Sequence, residues 1–347
     1  MNLTDYRTLG RSGLIVSPLA LGTMTFGTGR WGASPEVSGK IFGAYVEAGG
    51  NFVDTADVYA GGESERLVGR FIAERKMRDE VVLATKYGFN ASRGQPHAGG
   101  NGRKHVRQAL EASLKRLGTD YVDLYWMHVW DMVTPVEETV QTLGDLVREG
   151  LIRYYAFSDL PAWYGVKAQA LSQVHGVPGP VALQLEYSLV ARQVEAEHVS
   201  GAREAGLGLV PWSPLAGGFL SGKYNREQQD VSGRLSGSNP FGNSKFTEAN
   251  WRTLDALKEV AAEVNRPPAQ VALAWVVGRP GVTSTLIGAS KVEQLQDNLA
   301  ALELRLSPAQ TRTLTDASVT DPNTPEGFFS PDLRRMVFGG VDVEGWH

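Results

Sequence analysis

Four side chains in this sequence have the types and spacing to act together on a carbonyl group. Asp54 and Tyr59 lie in Asn51-Phe52-Val53-Asp54-Thr55-Ala56-Asp57-Val58-Tyr59, Lys86 closes Leu83-Ala84-Thr85-Lys86, and His128 follows Leu124-Tyr125-Trp126-Met127. A lysine ammonium beside a phenol favours the phenolate and lowers the tyrosine pKa. A carboxylate would hold that lysine in place, and a neutral histidine can donate to a carbonyl oxygen. In such a set Tyr59 becomes a general acid able to protonate a developing alkoxide. The plainer alternative is an Asp54–Lys86 ion pair beneath two polar-tipped core residues. It is the better reading of each residue singly, and the weaker one for the set in this order.

The elements that must position these groups are legible as an alternation. Short apolar runs, read as strands, cover 19–21, 51–53, 81–85, 122–127, 153–157, 182–185, 208–211 and 285–287. Helical spacing lies between and after them, at 35–48, 64–75, 106–117, 136–149, 162–175, 195–205, 248–265 and 292–302. Pro35, Pro135 and Pro161 stand where a first helical turn tolerates proline. Gly49, Gly118, Gly150 and Gly206 stand just past helix ends, where a left-handed residue is wanted.

Eight strands alternating with helices predict an α/β fold with a parallel sheet, and that number favours a closed (β/α)8 TIM barrel. A doubly wound open sheet is the alternative. No strand is followed by G-x-G-x-x-G with an acid some way beyond, so its dinucleotide fingerprint is missing. In a barrel, Asp54 with Tyr59, Lys86 and His128 leave three consecutive strands at the C-terminal rim, where such folds carry their sites.

A β-hairpin over 6–16, turning at Gly10-Arg11-Ser12-Gly13, caps the N-terminus. A glycine-rich stretch over 88–102 reads as a mobile loop, and 213–246 is longer than an ordinary connection. The tail over 320–347, with Phe328, Phe329 and Trp346, reads either as a lid or as a packed strap. The whole chain, 1–347, is expected to form a single domain.

Composition excludes several function classes. With 34 Lys+Arg against 38 Asp+Glu and no block of like charge, neither nucleic acid nor a membrane surface is an expected partner. Cysteine is absent, which removes disulfides, thiolate metal sites and thiol nucleophiles. No signal-like segment opens the sequence, and the longest apolar run, 271–277, is too short for a bilayer. A cytoplasmic location is therefore expected.

His97 and His105 lack metal-ligand spacing and read as solvated, so no metal is expected. Gly217-Gly218-Phe219-Leu220-Ser221-Gly222-Lys223-Tyr224 nearly spells a phosphate loop but ends in Tyr, not the Ser or Thr that binds magnesium. Glu186 would suit a sugar isomerase or a glycosidase. Those readings leave Tyr59, Lys86 and His128 unexplained.

The stretches around Asp54, Lys86 and His128 resemble signatures of the aldo-keto reductases, and the resemblance covers nearly the whole chain. Trp212-Ser213-Pro214-Leu215 and Gly288-Ala289-Ser290 are most similar to the branch holding the potassium-channel β subunits and their bacterial relatives. The resemblance implies an NADPH-dependent carbonyl reductase of the alcohol dehydrogenase type. Tyr59 would be the acid, Lys86 and Asp54 would tune it, and His128 would orient a small-molecule carbonyl substrate, with Trp130 lining the pocket.

It also implies a cofactor path. Gly22, Thr23 and Met24 would meet the nicotinamide ribose, and Ser158 and Gln184 the carboxamide, with Asp54 and Asp159 beside them. Trp212, Ser213, Pro214, Leu215, Ala216 and Gly217 would wrap the pyrophosphate, with Lys223 and Arg234 meeting phosphates. Gly288 and Ser290 open the adenosine end, where Ser290 and Gln294 would meet the 2′-phosphate and Asp297 and Asn298 the adenine. A phosphate at the start of that helix also makes electrostatic sense.

Two positions depart from the family pattern. Asp159 replaces an Asn, so a carboxylate lies near the carboxamide or points elsewhere. Gln294 replaces a frequent Arg, which keeps NADH open as a cofactor, although Lys291 can supply the charge. The alternative function is a regulatory or redox-sensing subunit that binds cofactor tightly and turns over slowly. The oligomeric state is left open by the sequence.

Overall fold

The structure, a computed structural model, describes residues 1–29, 32–227, 235, 245–318, 331–338 and 340–341. Its centre is one parallel sheet of eight strands: β3 (Leu19–Gly22), β4 (Phe52–Asp54), β5 (Val82–Tyr87), β6 (Val122–Met127), β7 (Ile152–Ser158), β8 (Ala182–Glu186), β9 (Gly208–Trp212) and β10 (Thr285–Ile287). Their order is β10-β3-β4-β5-β6-β7-β8-β9. A parallel bridge from Leu209 to Val282 joins the two ends. There the Leu209 N–H donates to Gly281 O at 2.9 Å and the Thr283 N–H to Leu209 O at 2.9 Å. The expected (β/α)8 barrel is the fold.

Helices follow the strands: α1 (Pro35–Glu47), α2 (Glu63–Arg75), α3 (Arg103–Leu117), α4 (Val136–Arg148), α5 (Ala162–His175) and α6 (His198–Ala205). Two helices, α7 (Glu248–Glu263) and α8 (Pro268–Val277), separate β9 from β10, and α9 (Val292–Leu299) and α10 (Pro308–Ala317) come after it. In the tail, α11 spans Pro331–Val337. Ser34 caps α1 by accepting the Val37 N–H, and Gly49, Gly118, Gly150 and Gly206 all take positive φ past helix ends. Among the described residues no helix is long and apolar enough to cross a membrane.

Strand alternation sorts the core into two layers. Leu21, Val53, Leu83, Tyr125, Phe157 and Leu183 face the helices. Ala20, Phe52, Ala84, Leu124, Ala156 and Ala182 face inward, joined by Leu9, Leu14 and Val16 from the hairpin of β1 (Arg7–Thr8) and β2 (Ile15–Val16). The hairpin thus plugs the N-terminal end of the barrel. Arg7 Nη1 donates to Val282 O at 3.1 Å, and the Asn51 amide holds Ile15 O at 3.0 Å and the Ser17 N–H at 2.8 Å. Gly10 makes this approach possible. Its φ is 59°, and a Cβ there would stand 2.3 Å from Val181 O.

The structure corrects several boundaries. The second barrel strand is Phe52–Asp54, with Asn51 spent on the hairpin. Lys86 lies inside β5 and not after it. The helix expected at 195–205 is a 3₁₀ turn, Gln193–Glu195, followed by α6, and that at 292–302 ends as a 3₁₀ turn, Ala300–Glu303. Helix α8 was not foreseen. Seven of its residues, Gln270, Val271, Ala272, Leu273, Trp275, Val276 and Val277, are buried, so it carries no amphipathic stripe to read. Helix α10 announces itself only through its Ser307–Gln310 capping box.

Candidate active site

Asp54 sits two residues beyond inward-facing Phe52, Lys86 two beyond Ala84, Ser158 two beyond Ala156 and Gln184 two beyond Ala182. The period of two therefore turns all of them into the barrel at its C-terminal end. His128 follows β6, its N–H donating to Tyr87 O at 2.8 Å. Tyr59 arrives on a 3₁₀ turn, Tyr59–Gly62, in which Ala60 and Gly61 are left-handed.

The structure brings the four residues together. Lys86 Nζ donates to Asp54 Oδ1, to Thr55 O at 3.0 Å and to the Tyr59 hydroxyl at 3.4 Å. Asp54 Oδ2 accepts from Gln184 Nε2 at 3.2 Å. The Tyr59 and His128 rings meet edge to face with centroids 5.7 Å apart. Lys86 and Asp54 are buried, while Tyr59 and His128 are half-buried at the rim.

Electrostatics sets the charge of each group. Burial alone would lower the Lys86 pKa, but the Asp54 carboxylate and Tyr59 outweigh it and hold it above its usual value. Lys86 is therefore an ammonium. Burial pushes the His128 pKa well below its usual value, and the Lys86 charge adds to that. The imidazole is therefore neutral, and its Nδ1 is buried with no hydrogen-bond partner among the described residues.

The other sequence-named residues divide by where they lie. Thr23 is buried, and its hydroxyl is engaged with Asp54 O at 3.0 Å and Ser64 Oγ at 2.9 Å, so it braces the strand ends. Gly22 ends β3 and Met24 follows, half-buried. Ser158 is buried at the end of β7. Asp159 takes a left-handed φ of 44° and turns its carboxylate across to β9, accepting the Trp212 indole N–H at 3.0 Å. Its residue is exposed, yet the protein packed around the carboxyl pushes its pKa up to about 6.

Beyond β9, Ser213, Ala216, Gly217 and Gly218 also take positive φ, with Pro214 and Leu215 between them, and Ser213 Oγ accepts the Gly217 N–H at 3.2 Å. A Cβ on Gly218 would stand 3.7 Å from Lys223 Nζ, so the lysine lies over this turn. Before α9, beyond Gly288, the Ser290 N–H and hydroxyl both donate to Gln294 Oε1, at 2.9 and 3.1 Å. That oxygen stands as a phosphate oxygen would, on a donor pair at a helix start. These features fit a phosphate-bearing cofactor. Asn298 turns back to Gly288 O at 3.4 Å, and Asp297 is exposed. Arg234, Phe328, Phe329 and Trp346 lie outside the described residues.

Some features were missed by sequence reasoning. Phe89 is 46% exposed and sets its ring against His128 at 4.7 Å, so the 88–102 stretch supplies an aromatic neighbour to the site. That stretch is also pinned, with the Gly100 N–H on Gly88 O and the Asn101 N–H on Asp131 Oδ2, each at 2.8 Å. Phe89 stands three residues past Lys86, and that position was its only signal. Trp130 packs edge to face on half-exposed Trp163 at 5.8 Å. His105 corrects an expectation. It is buried on α3 facing Tyr87, because its helix turns that position inward. Glu186 pairs with Lys245 at 2.8 Å, and no cluster of metal-binding side chains occurs among the described residues.

Comparison with known proteins agrees with this geometry. The model of the aldo/keto reductase family matches residues 18–318. A norsolorinic acid reductase of Aspergillus flavus is 36% identical over 328 residues, covering 91% of this chain and 81% of that protein. An uncharacterized oxidoreductase, YrpG, of Bacillus subtilis is 36% identical over 322 residues, covering 90% of this chain and 95% of its own. A probable voltage-gated potassium channel subunit beta of Oryza sativa subsp. japonica is 36% identical over 305 residues, covering 86% and 92%.

Proposed function

The chain belongs to the aldo/keto reductase family, and from that premise we propose that it reduces an aldehyde or ketone to an alcohol with NADPH, Tyr59 acting as the general acid. The observation that carries this reading is the position of Lys86 Nζ, in contact at once with Asp54, Thr55 O and the Tyr59 hydroxyl. An ammonium there stabilises the phenolate that remains when Tyr59 gives up its proton. Asp54 keeps the lysine charged and fixed, and Gln184 steadies the carboxylate from across the barrel.

His128 orients the carbonyl. Its buried Nδ1 has no acceptor, and a buried N–H without a partner is costlier than a bare lone pair. We therefore assign the ring proton to Nε2, which donates to the substrate oxygen that Tyr59 protonates. A bound reduced nicotinamide supplies the hydride. The Ser158, Gln184 and Asp159 side chains would hold its carboxamide end, and Lys223, Ser290, Lys291 and Gln294 its phosphates. Phe89 beside His128, with Trp130 and Trp163, favours a carbonyl carried on an aromatic body. One of the relatives is named a norsolorinic acid reductase and another a probable potassium channel subunit, so turnover itself is the deciding property.

Fluorescence titration with NADPH and NADH, followed by 4-nitrobenzaldehyde turnover, tests the reading. Tight NADPH binding with turnover is expected, and Tyr59→Phe should lose roughly 100- to 10,000-fold in kcat while binding the cofactor unchanged. A Tyr59→Phe protein with wild-type kcat refutes the assignment. Tight binding by the wild type without turnover favours the regulatory, redox-sensing reading.

A further inference from the structure

Behind Lys86, outside the barrel wall, two buried carboxylates, Glu65 and Asp57, lie near one guanidinium, Arg116, which pairs with Glu65. Glu65 on α2 is buried, with Oε1 accepting the Thr85 hydroxyl at 2.6 Å and Oε2 accepting Arg116 Nε–H from α3. Thr85 is the strand neighbour of Lys86 and faces the opposite side, so Glu65 braces that strand from without. Arg116 also donates to Ser113 Oγ at 3.1 Å.

Asp57, in the loop that carries Tyr59, is only 8% exposed, and its Oδ1 is buried with no hydrogen-bond partner among the described residues. Its backbone N–H donates to Lys86 O at 3.1 Å, stapling the loop to the strand. The other end of the loop rests on Arg116. Gly62 has φ 88°, and a Cβ there would stand 2.7 Å from Arg116 Cδ.

With Arg116 paired to Glu65, an ionised Asp57 would be a negative charge out of water, which is costly unless it is paired or removed. Glu65 has a donor on each oxygen. Asp57 Oδ1 has none, so a proton on Asp57 is the cheapest way to remove the excess charge.

We propose that Asp57 is a proton-linked positioning residue for Tyr59. When neutral, it leaves Arg116 on Glu65 and the Tyr59 loop seated. When ionised, it competes with Glu65 for Arg116 and disturbs both the loop and the brace on Lys86. This rests on the role proposed above for Tyr59. The charged and titratable groups facing Asp57 are Glu65 from α2, Arg116 from α3, Lys86 from β5 and Tyr125 from β6. Burial, then the Glu65 charge, pushes the Asp57 carboxyl up to about 7, which sets the transition near neutrality.

The test pairs an NMR titration of the cofactor-free protein, labelled with carboxyl-¹³C aspartate, with pH–rate profiles. Asp57→Asn keeps the shape and holds the neutral form. Beside the Asp159 resonance, expected to titrate at about 6, the wild type should show a further aspartate resonance titrating at about 7 that Asp57→Asn lacks. The Tyr59 ring signals should move through the same transition. A kcat inflection at that pH should disappear in Asp57→Asn, with KM changed by no more than about twofold.

An Asp57 resonance titrating in the ordinary carboxylate range overturns the proposal. So do Tyr59 signals that ignore the transition, or an inflection that persists in Asp57→Asn. The NMR arm needs no turnover to detect the transition. If no carbonyl is reduced, that failure falls on the proposed reaction, and the Tyr59 signals still decide the role of Asp57.

Discussion

The two ends of the barrel interior are built by the same strands on the same inward-facing register, yet they do opposite things. At the N-terminal end Phe52, Ala84, Leu124 and Ala156 close on Leu9, Leu14 and Val16 of the hairpin. Two residues further along, the same strands present Asp54, Lys86 and Ser158, with His128 just beyond β6. Burial does not separate the two regions, since Phe52 and Lys86 are both 0% exposed. Partnership does. The plug needs only shape, whereas each charge at the rim is tolerable only because another group answers it.

The comparison can be broken most forcefully at Lys86. Lys86→Met should remove the ammonium beneath Tyr59 and leave Asp54 buried without its counter-charge. Roughly 3–5 kcal/mol of stability should go with it, by denaturant titration. Turnover should fall by roughly 100- to 10,000-fold as well. A variant as stable as the wild type would mean that the pair does not hold the rim.

At the other end, Phe52→Ala should cost a similar roughly 3–5 kcal/mol by opening a cavity in the plug. The kcat of the folded fraction should stay close to wild type. If kcat collapses in step with stability, the two ends are not separable.

The smallest effect distinguishes the ends by pH. The folded-state pKa of Asp159, at about 6, lies above that of the unfolded chain, so the folded state holds this proton more tightly. Its contribution to stability is fully present below the unfolded value of about 3.9 and lost as pH rises through the folded value. Asp159→Asn should therefore gain on the wild type across that window, by less than about 1 kcal/mol because the side chain is open to solvent. Thermal unfolding of both proteins at the two ends of the window measures it, and parallel curves would show that Asp159 does not titrate there. The apolar plug has no group to respond.

Much of this was legible in the chain itself. Alternating short apolar runs and helical spacing predict the barrel, and the glycines past helix ends take the left-handed conformations expected of them. Asp54, Lys86 and His128 were readable because each stands within a residue of the C-terminal end of a strand. Local pattern failed where burial is uniform, as in α8. It failed too where a loop folds back, as at Phe89, and where helix phase turns a polar residue inward, as with His105.

The sequence by itself determined the order of strands, the face on which each residue lies and the residue types that reach the C-terminal rim, because those follow from periods of two and of about 3.6 residues. Only the closed barrel decided that Gln184 would meet Asp54 across 130 residues, that Asp159 would turn to Trp212, and that Asp57 would be buried beside Glu65. Those pairings depend on how far the sheet curls before β9 meets β10 and on how much water that closure expels. Neither is written in any local stretch of the chain.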